Sequence, residues 1–178
     1  LGFSHPPLSR HAGRARGSRR SAAHLGLMTL VLMVAEKPSL ALAVAGHLSR
    51  QSHTTRHGGA TDVHEFSGTF RGGPATFRVT SVKGHVYNLV FTPEWEAWDV
   101  DPQLLFGAET TKVPTSGAVC AHLEHEAKGA DHLVLWLDCD REGENICFEV
   151  MHKCCPAMAG GPGQRVWRAH FSAVSEEA

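Results

Sequence analysis

The chain has 178 residues and a formal charge of −1, enough length for one ordinary domain with a full core. All 18 acidic residues lie after residue 35, and from Met28 onward 12 basic residues face 18 acidic ones, a balance of −6. That balance argues against a domain whose own surface forms a broad basic nucleic-acid groove. The five cysteines (Cys120, Cys139, Cys147, Cys154, Cys155) include no C-x-x-C pair, which excludes a zinc ribbon and fits free thiols in a reducing compartment. No apolar stretch reaches the ~18 residues that a membrane span requires.

Residues 1–27 are rich in Arg, Ser, Gly, His and Pro and contain no acid. This composition suits a disordered basic arm. Pro6, Pro7 and the glycines interrupt any amphipathic helix, which argues against mitochondrial targeting, and Met28 reads as the natural start. The expected domain is 28–178, ending within a longer protein. Leu30 to Ala35 is a continuous apolar run, as in a strand buried on both faces. Glu36-Lys37-Pro38-Ser39 then enters a helix to about Arg50, with Pro38 in its first turn and Leu40, Val44, His47 and Leu48 as its apolar stripe.

A β-hairpin is expected from Val63 to Phe70 and Ala75 to Val82, turning at Arg71-Gly72-Gly73-Pro74. Phe91 to Gly117 reads as loop, packed down by Trp95 and Trp98. Ala118 to Lys128 reads as a helix, and Leu133 to Leu137 as a buried strand. A helix follows from Asn145 through Met151 to about Cys155. Gly160 to Gly163 is a loop, and Arg165 to Phe171 is the last strand. Alternation of these elements predicts an α/β fold with a small, mostly parallel sheet.

Four carboxylates crowd Asp138-Cys139-Asp140-Arg141-Glu142-Gly143-Glu144, directly after that buried strand. Open α/β sheets carry their chemistry at this strand edge. Like charges held this close need a cation between them, and hard oxygen ligands select Mg²⁺. Glu36 ends its own apolar strand in the same way, so a parallel sheet would bring it to Asp138 and Asp140. There it can act as a general acid and base, or simply complement a helix end. Arg141 can clamp a phosphate oxygen or neutralise Asp140, and both options stay open. His85, after Gly84, can donate to a phosphate, although a lone histidine is more often structural. Arg168 divides evenly between surface charge and a phosphate contact, while Arg165, Lys112 and His170 carry little signal. His122, His125 and Glu126 share a helix face without a nearby further ligand, which reads as an exposed face rather than a metal site.

Val31-Leu32-Met33-Val34-Ala35-Glu36-Lys37-Pro38-Ser39-Leu40 and Asp138 to Glu144 resemble the two signature segments of a Toprim domain of the type IA DNA topoisomerase family. Ser81 to Val86 and Arg168 to Ser172 resemble two further segments in the same order. The wording of Leu135 to Asp140 and Glu144 to Val150 is most similar to the eukaryotic topoisomerase III beta branch. The resemblance implies a Toprim (Rossmann-like) fold, a four-stranded parallel core sheet with helices on both faces plus a hairpin. It implies Glu36, Lys37 and Arg141 as catalytic residues, and Glu36, Asp138, Asp140 and Glu142 as ligands of Mg²⁺. Lys37, His85, Arg141 and Arg168 would touch nucleic acid.

The implied reaction is single-strand cleavage, passage and religation through a 5′-phosphotyrosyl link. Single-stranded DNA is the expected partner, with RNA left open as an alternative, together with a Tudor-domain scaffold protein. The expected compartment is the nucleus, with the cytoplasm as a second. Tyr87 is the sole tyrosine and does not match the family's nucleophile, so this chain alone is expected to be inactive. Alternatives are another Toprim phosphotransfer enzyme, such as a primase or nuclease, and a non-catalytic nucleic-acid-binding fragment. The Ser172-Ala173-Val174-Ser175 stretch departs from the family's usual Ile-Thr pair.

Overall fold

The computed structural model describes residues 28–159 and 165–172. The basic arm, the glycine loop at 160–163 and the stretch past Ser172 lie outside the described residues. The apolar run forms β1 (Thr29–Ala35), and Val31 to Ala35 are almost wholly buried. Burial on both faces follows from its place: β1 pairs in parallel with β4 (Gly73–Ser81) on one side and β7 (His132–Trp136) on the other. The main sheet runs β2-β3-β4-β1-β7-β8, with β2 at Thr54–Arg56, β3 at Val63–Phe70 and β8 at Val166–Arg168. β4, β1, β7 and β8 form the parallel core, and β3 and β2 extend it in antiparallel fashion.

Alternate residues of β1 serve two cores. Val31, Met33 and Ala35 meet α1 (Pro38–Ser49) with Phe66, Phe77 and Val79. Leu32 and Val34 face α2 (Gly117–Ala127) and α3 (Arg141–Cys154), through Leu123, Ile146 and Val150. Helices thus cover both faces, as expected of this fold class.

The β3–β4 hairpin turns through Arg71 (φ 51°) and Gly72 (φ 85°), a two-residue loop with both residues left-handed. Its twist matches that of the flanking strands. The hairpin is also no appendage, because β4 supplies one neighbour of β1.

Several expectations need correction. Thr110–Pro114, inside the expected loop, forms β6, which pairs with β5 (Tyr87–Phe91) in a separate two-stranded sheet. β6 is exposed along its length, so it lacks the apolar alternation that marks a strand. Trp98 is fully exposed and packs nothing down, while Trp95 is half-buried. The buried stripe of α1 is Ala41, Val44, Ala45 and Gly46, leaving His47 and Leu48 outside. Small residues let α1 lie close on the sheet, and the larger Leu48 is left at its margin.

Candidate active site

β1 and β7 end side by side, and a bond from the Glu36 amide to the Trp136 carbonyl (3.2 Å) extends their pairing by one residue. Beyond it, Glu36 Oε2 accepts from the Asp138 amide at 3.1 Å. Lys37 Nζ lies 3.3 Å from Glu36 Oε1 and 3.4 Å from Asp138 Oδ2, so one ammonium sits between two carboxylates 102 residues apart in sequence. Hydrogen bonding to Glu36, then that carboxylate's charge and that of Asp138, raises the Lys37 pKa above its ordinary value. The Glu36 side chain is mostly buried (13 % exposed) and that of Asp138 is half-open (43 %).

The remaining acids are held elsewhere. α3 begins at Arg141, earlier than expected, because Asp140 caps it: Oδ1 accepts from the Gly143 amide at 2.7 Å. Glu142 and Glu144 therefore stand in the first helical turn, where the helix dipole favours acids. Glu142 pairs with His85 Nε2 (3.2 Å) and Glu144 with Arg168 Nε (2.9 Å). Among the described residues no three His, Cys, Asp or Glu side chains converge tightly enough to hold a metal. Of the set expected around one Mg²⁺, the structure brings Glu36 and Asp138 together, while Asp140 caps α3 and Glu142 pairs with His85. The donor chemistry, carboxylate oxygens around a position already occupied by a cationic ammonium, fits a hard divalent ion. Gly143 permits this close entry of α3, since a Cβ there would overlap the Asp138 carbonyl.

Arg141 is exposed and makes no ion pair among the described residues, leaving its guanidinium open at the rim. Arg168 is fully engaged. Its guanidinium donates to the carbonyls of Leu137 (2.8 Å), Asp138 (2.8 Å) and Ala169 (2.7 Å), and more weakly to that of Leu135. It ties the Asp138 loop to β8.

His85 bridges two acids of α3: Nε2 meets Glu142, and Nδ1 meets Glu149 Oε1 at 3.2 Å. The Glu149 bond is the main cause that lifts the His85 pKa above its usual value, against partial burial. Sequence reasoning missed Glu149. Its carboxylate is 5 % exposed and also accepts from the Val86 amide (2.7 Å) and Asn145 Nδ2 (3.1 Å). The available signal was an acid on the inner face of α3, among Ile146 and Val150.

The α2 face also differs from expectation. His122 and Glu126 are buried, and only His125 is exposed. His122 Nε2 bonds Thr80 Oγ1 (2.8 Å) and Thr61 Oγ1 (3.2 Å), and burial lowers its pKa. Glu126 is bound by both terminal nitrogens of Arg56 at 2.7 and 3.0 Å. Lys112 is exposed on β6. The exposed His170 lies 3.9 Å from Cys139 Sγ, and Arg165 donates to the Ala159 carbonyl. All five cysteines are free. Tyr87 donates to or accepts from His152 Nδ1 at 2.9 Å, on the second half of α3 rather than at the acid rim.

A parallel α/β sheet with an acid ending β1 and an acid-capped helix after β7 defines a Toprim-type domain. The Toprim domain family model matches residues 31–171, and the chain belongs to that family. It is similar to DNA topoisomerase 3-beta of Arabidopsis thaliana (50 % identical over 150 residues, 83 % of this chain and 17 % of that protein). It also resembles human DNA topoisomerase 3-beta-1 (47 % over 157 residues, 84 % of this chain and 18 % of that protein). Similarity extends to DNA topoisomerase 3-alpha of Arabidopsis thaliana (45 % over 149 residues, 81 % and 16 %). The chain thus spans less than a fifth of the length of these relatives.

Proposed function

We propose that this chain supplies the acidic half of a type IA topoisomerase centre, which changes the topology of single-stranded segments of DNA by transient cleavage, strand passage and religation. RNA is the alternative substrate. The observation that carries the reading is the meeting of Glu36 and Asp138 across β1 and β7, with the Lys37 ammonium between them.

Each residue has work that suits its position. Lys37, exposed and held positive by two carboxylates, pairs with a non-bridging oxygen of the scissile phosphate. Arg141, open at the start of α3, takes a second oxygen by its planar fork. In the reaction a tyrosine phenolate oxygen, already without its proton and supplied from outside this chain, bonds to phosphorus, and the bond from phosphorus to the 3′-oxygen breaks. Glu36 in its carboxyl form gives its proton to that departing oxygen, and as the carboxylate it takes the proton back from the 3′-hydroxyl when the tyrosine leaves. Mg²⁺, held by Glu36 and Asp138 with Asp140 and Glu142 at hand, would supply positive charge that steadies the phosphate and the broken ends. Arg168 and Gly143 position Asp138. His85 orients Glu142 in the same indirect way. A primase or nuclease chemistry would use the same acids with a different nucleophile.

The nuclear compartment and a Tudor-domain scaffold partner belong to the same reading. Two measurements test it. The chain should bind Mn²⁺, followed by its electron paramagnetic resonance signal as a stand-in for Mg²⁺, and Asp138→Asn should weaken that binding by ten-fold or more. Negatively supercoiled plasmid with Mg²⁺ should remain supercoiled in the presence of this chain. Equal Mn²⁺ binding by Asp138→Asn would remove the carboxylate pair from the reading, and plasmid relaxation would remove the need for an outside tyrosine.

A further inference from the structure

One strand over from Glu36, on the side away from Asp138, β4 ends at Ser81. Ala35 is its register partner, and the Val82 amide donates to the Ala35 carbonyl at 2.9 Å. Ser81 is 1 % exposed, yet its hydroxyl has no hydrogen-bond partner. Such groups are rare in interiors, because an unmade hydrogen bond costs more than a made one gains. Ser81 lines a cavity of about 190 Å³ together with Pro38, Ser39, Ala41, Asp62 and His64.

Across that cavity stands the N-terminus of α1. The helix has 12 residues, Pro38 in its first turn, no side chain capping it, and no acid in the first turn to complement its dipole. Its leading N–H groups carry partial positive charge that no capping side chain answers. An uncapped helix start opposite an unpartnered buried hydroxyl is a constellation of donors; the acid on the cavity wall is Asp62, and the Lys37 ammonium at the helix N-cap is turned to Glu36 and Asp138.

We propose that this cavity is a second anion subsite, which takes the backbone phosphodiester adjacent to the one held at Glu36 and Lys37. The inference rests on the functional reading above and deepens it. The half-exposed Asp62 bounds the cavity, with its carboxylate 2.8 Å from His57 Nδ1. Its negative charge disfavours a dianionic terminal phosphate more than a singly charged diester, which selects an internal link of a strand. Neighbouring strands lie ~4.8 Å apart, so the two sites lie side by side on one rim, as successive phosphates do on a single strand. The subsite would fix the register of the strand relative to Glu36.

The test uses the full 178-residue chain, labelled with ¹⁵N, without divalent cation, titrated with dimethyl phosphate and with thymidylyl-(3′→5′)-thymidine. Inorganic phosphate is the comparison. Both diesters should shift the amides of Ser39, Leu40 and Ser81 saturably, and inorganic phosphate should do so more weakly. Ser81→Ala should weaken diester binding at these amides about ten-fold, the loss of one hydrogen bond to a charged group, with Ser81→Cys in between. Ser81→Ala should melt no lower than the native chain, because its hydroxyl has no protein partner to lose.

Shifts at Lys37 and Asp138 with none at Ser39 and Leu40 would overturn this inference alone. No shift at either place would overturn the functional reading as well. Equal binding by Ser81→Ala, or its unfolding while Ser81→Cys folds, would mark the hydroxyl as structural and overturn the subsite.

Discussion

Replacing Arg168 by alanine tests how the acid rim is held in shape. Its side chain is 16 % exposed and donates to three carbonyls at 2.7–2.8 Å, those of Leu137, Asp138 and Ala169. A hydrogen bond from a charged donor contributes ~1.5–3 kcal/mol, but bonds sharing one guanidinium do not add. The bridge to the half-exposed Glu144 adds little, as surface pairs do. Truncation strips these carbonyls of their donor together, so Arg168→Ala should lose about 2–4 kcal/mol of stability. For a chain of this size that is a fall of roughly 4–16 °C in Tm. Arg168→Lys should recover only a minor part, since one ammonium cannot serve three carbonyls spread across two strands' ends. Urea unfolding gives the stability, and Mn²⁺ binding gives the state of the Asp138 loop, which should weaken in step. Stability within 0.5 kcal/mol (~ the scatter of neutral surface changes) would show that Arg168 is no brace and leave its guanidinium for nucleic acid.

Gly143→Ala should destabilise the chain by about 2 kcal/mol or more, because the added Cβ overlaps the Asp138 carbonyl and α3 must shift; a native-like urea midpoint would refute that close approach. Arg56→Ala leaves the Glu126 carboxylate, 1 % exposed, without its charge partner. Burial alone would raise the Glu126 pKa, yet the bonds and charge of Arg56 hold it below the usual carboxylate value. The loss should be about 2–4 kcal/mol, at the lower part of the range for a broken buried pair because Arg56 is itself half-exposed, and Glu126→Gln should lose less; thermal melts of the two variants decide. The His85 pKa is raised in the folded chain, chiefly by Glu149. Its ion pairs should therefore stabilise fully below the unfolded value of ~6.5 and fade as pH rises through the higher folded value. The native chain should lose more Tm than His85→Gln between pH 6 and pH 9, and equal losses would show that His85 is not charged against Glu142 and Glu149.

The apolar runs Leu30 to Ala35 and Leu133 to Leu137 are continuous over five or six residues and end in charged residues, so they announce buried strands without help from the rest of the chain. From there part of the chemistry at their ends follows: two parallel strands of one sheet finish on the same rim, and the adjacency of β1 and β7 in the structure then brings Glu36 and Asp138 together. The resemblance in the acid segments added residue roles that spacing alone left open.

Only the tertiary structure decided how the charges are shared. Asp140 became a helix cap, Glu142 went to His85 and Arg168 turned inward onto carbonyls, because each competes for partners that are distant in sequence. Burial of His122, Glu126 and Glu149 was hidden for a related reason: a polar residue on a short helix can face water or a satisfying partner, and periodicity does not distinguish them. β6 escaped because an exposed strand has no apolar period. That a segment is a buried strand is a local property of the chain's pattern, whereas which strands lie side by side and which polar groups pair are settled among all of them at once.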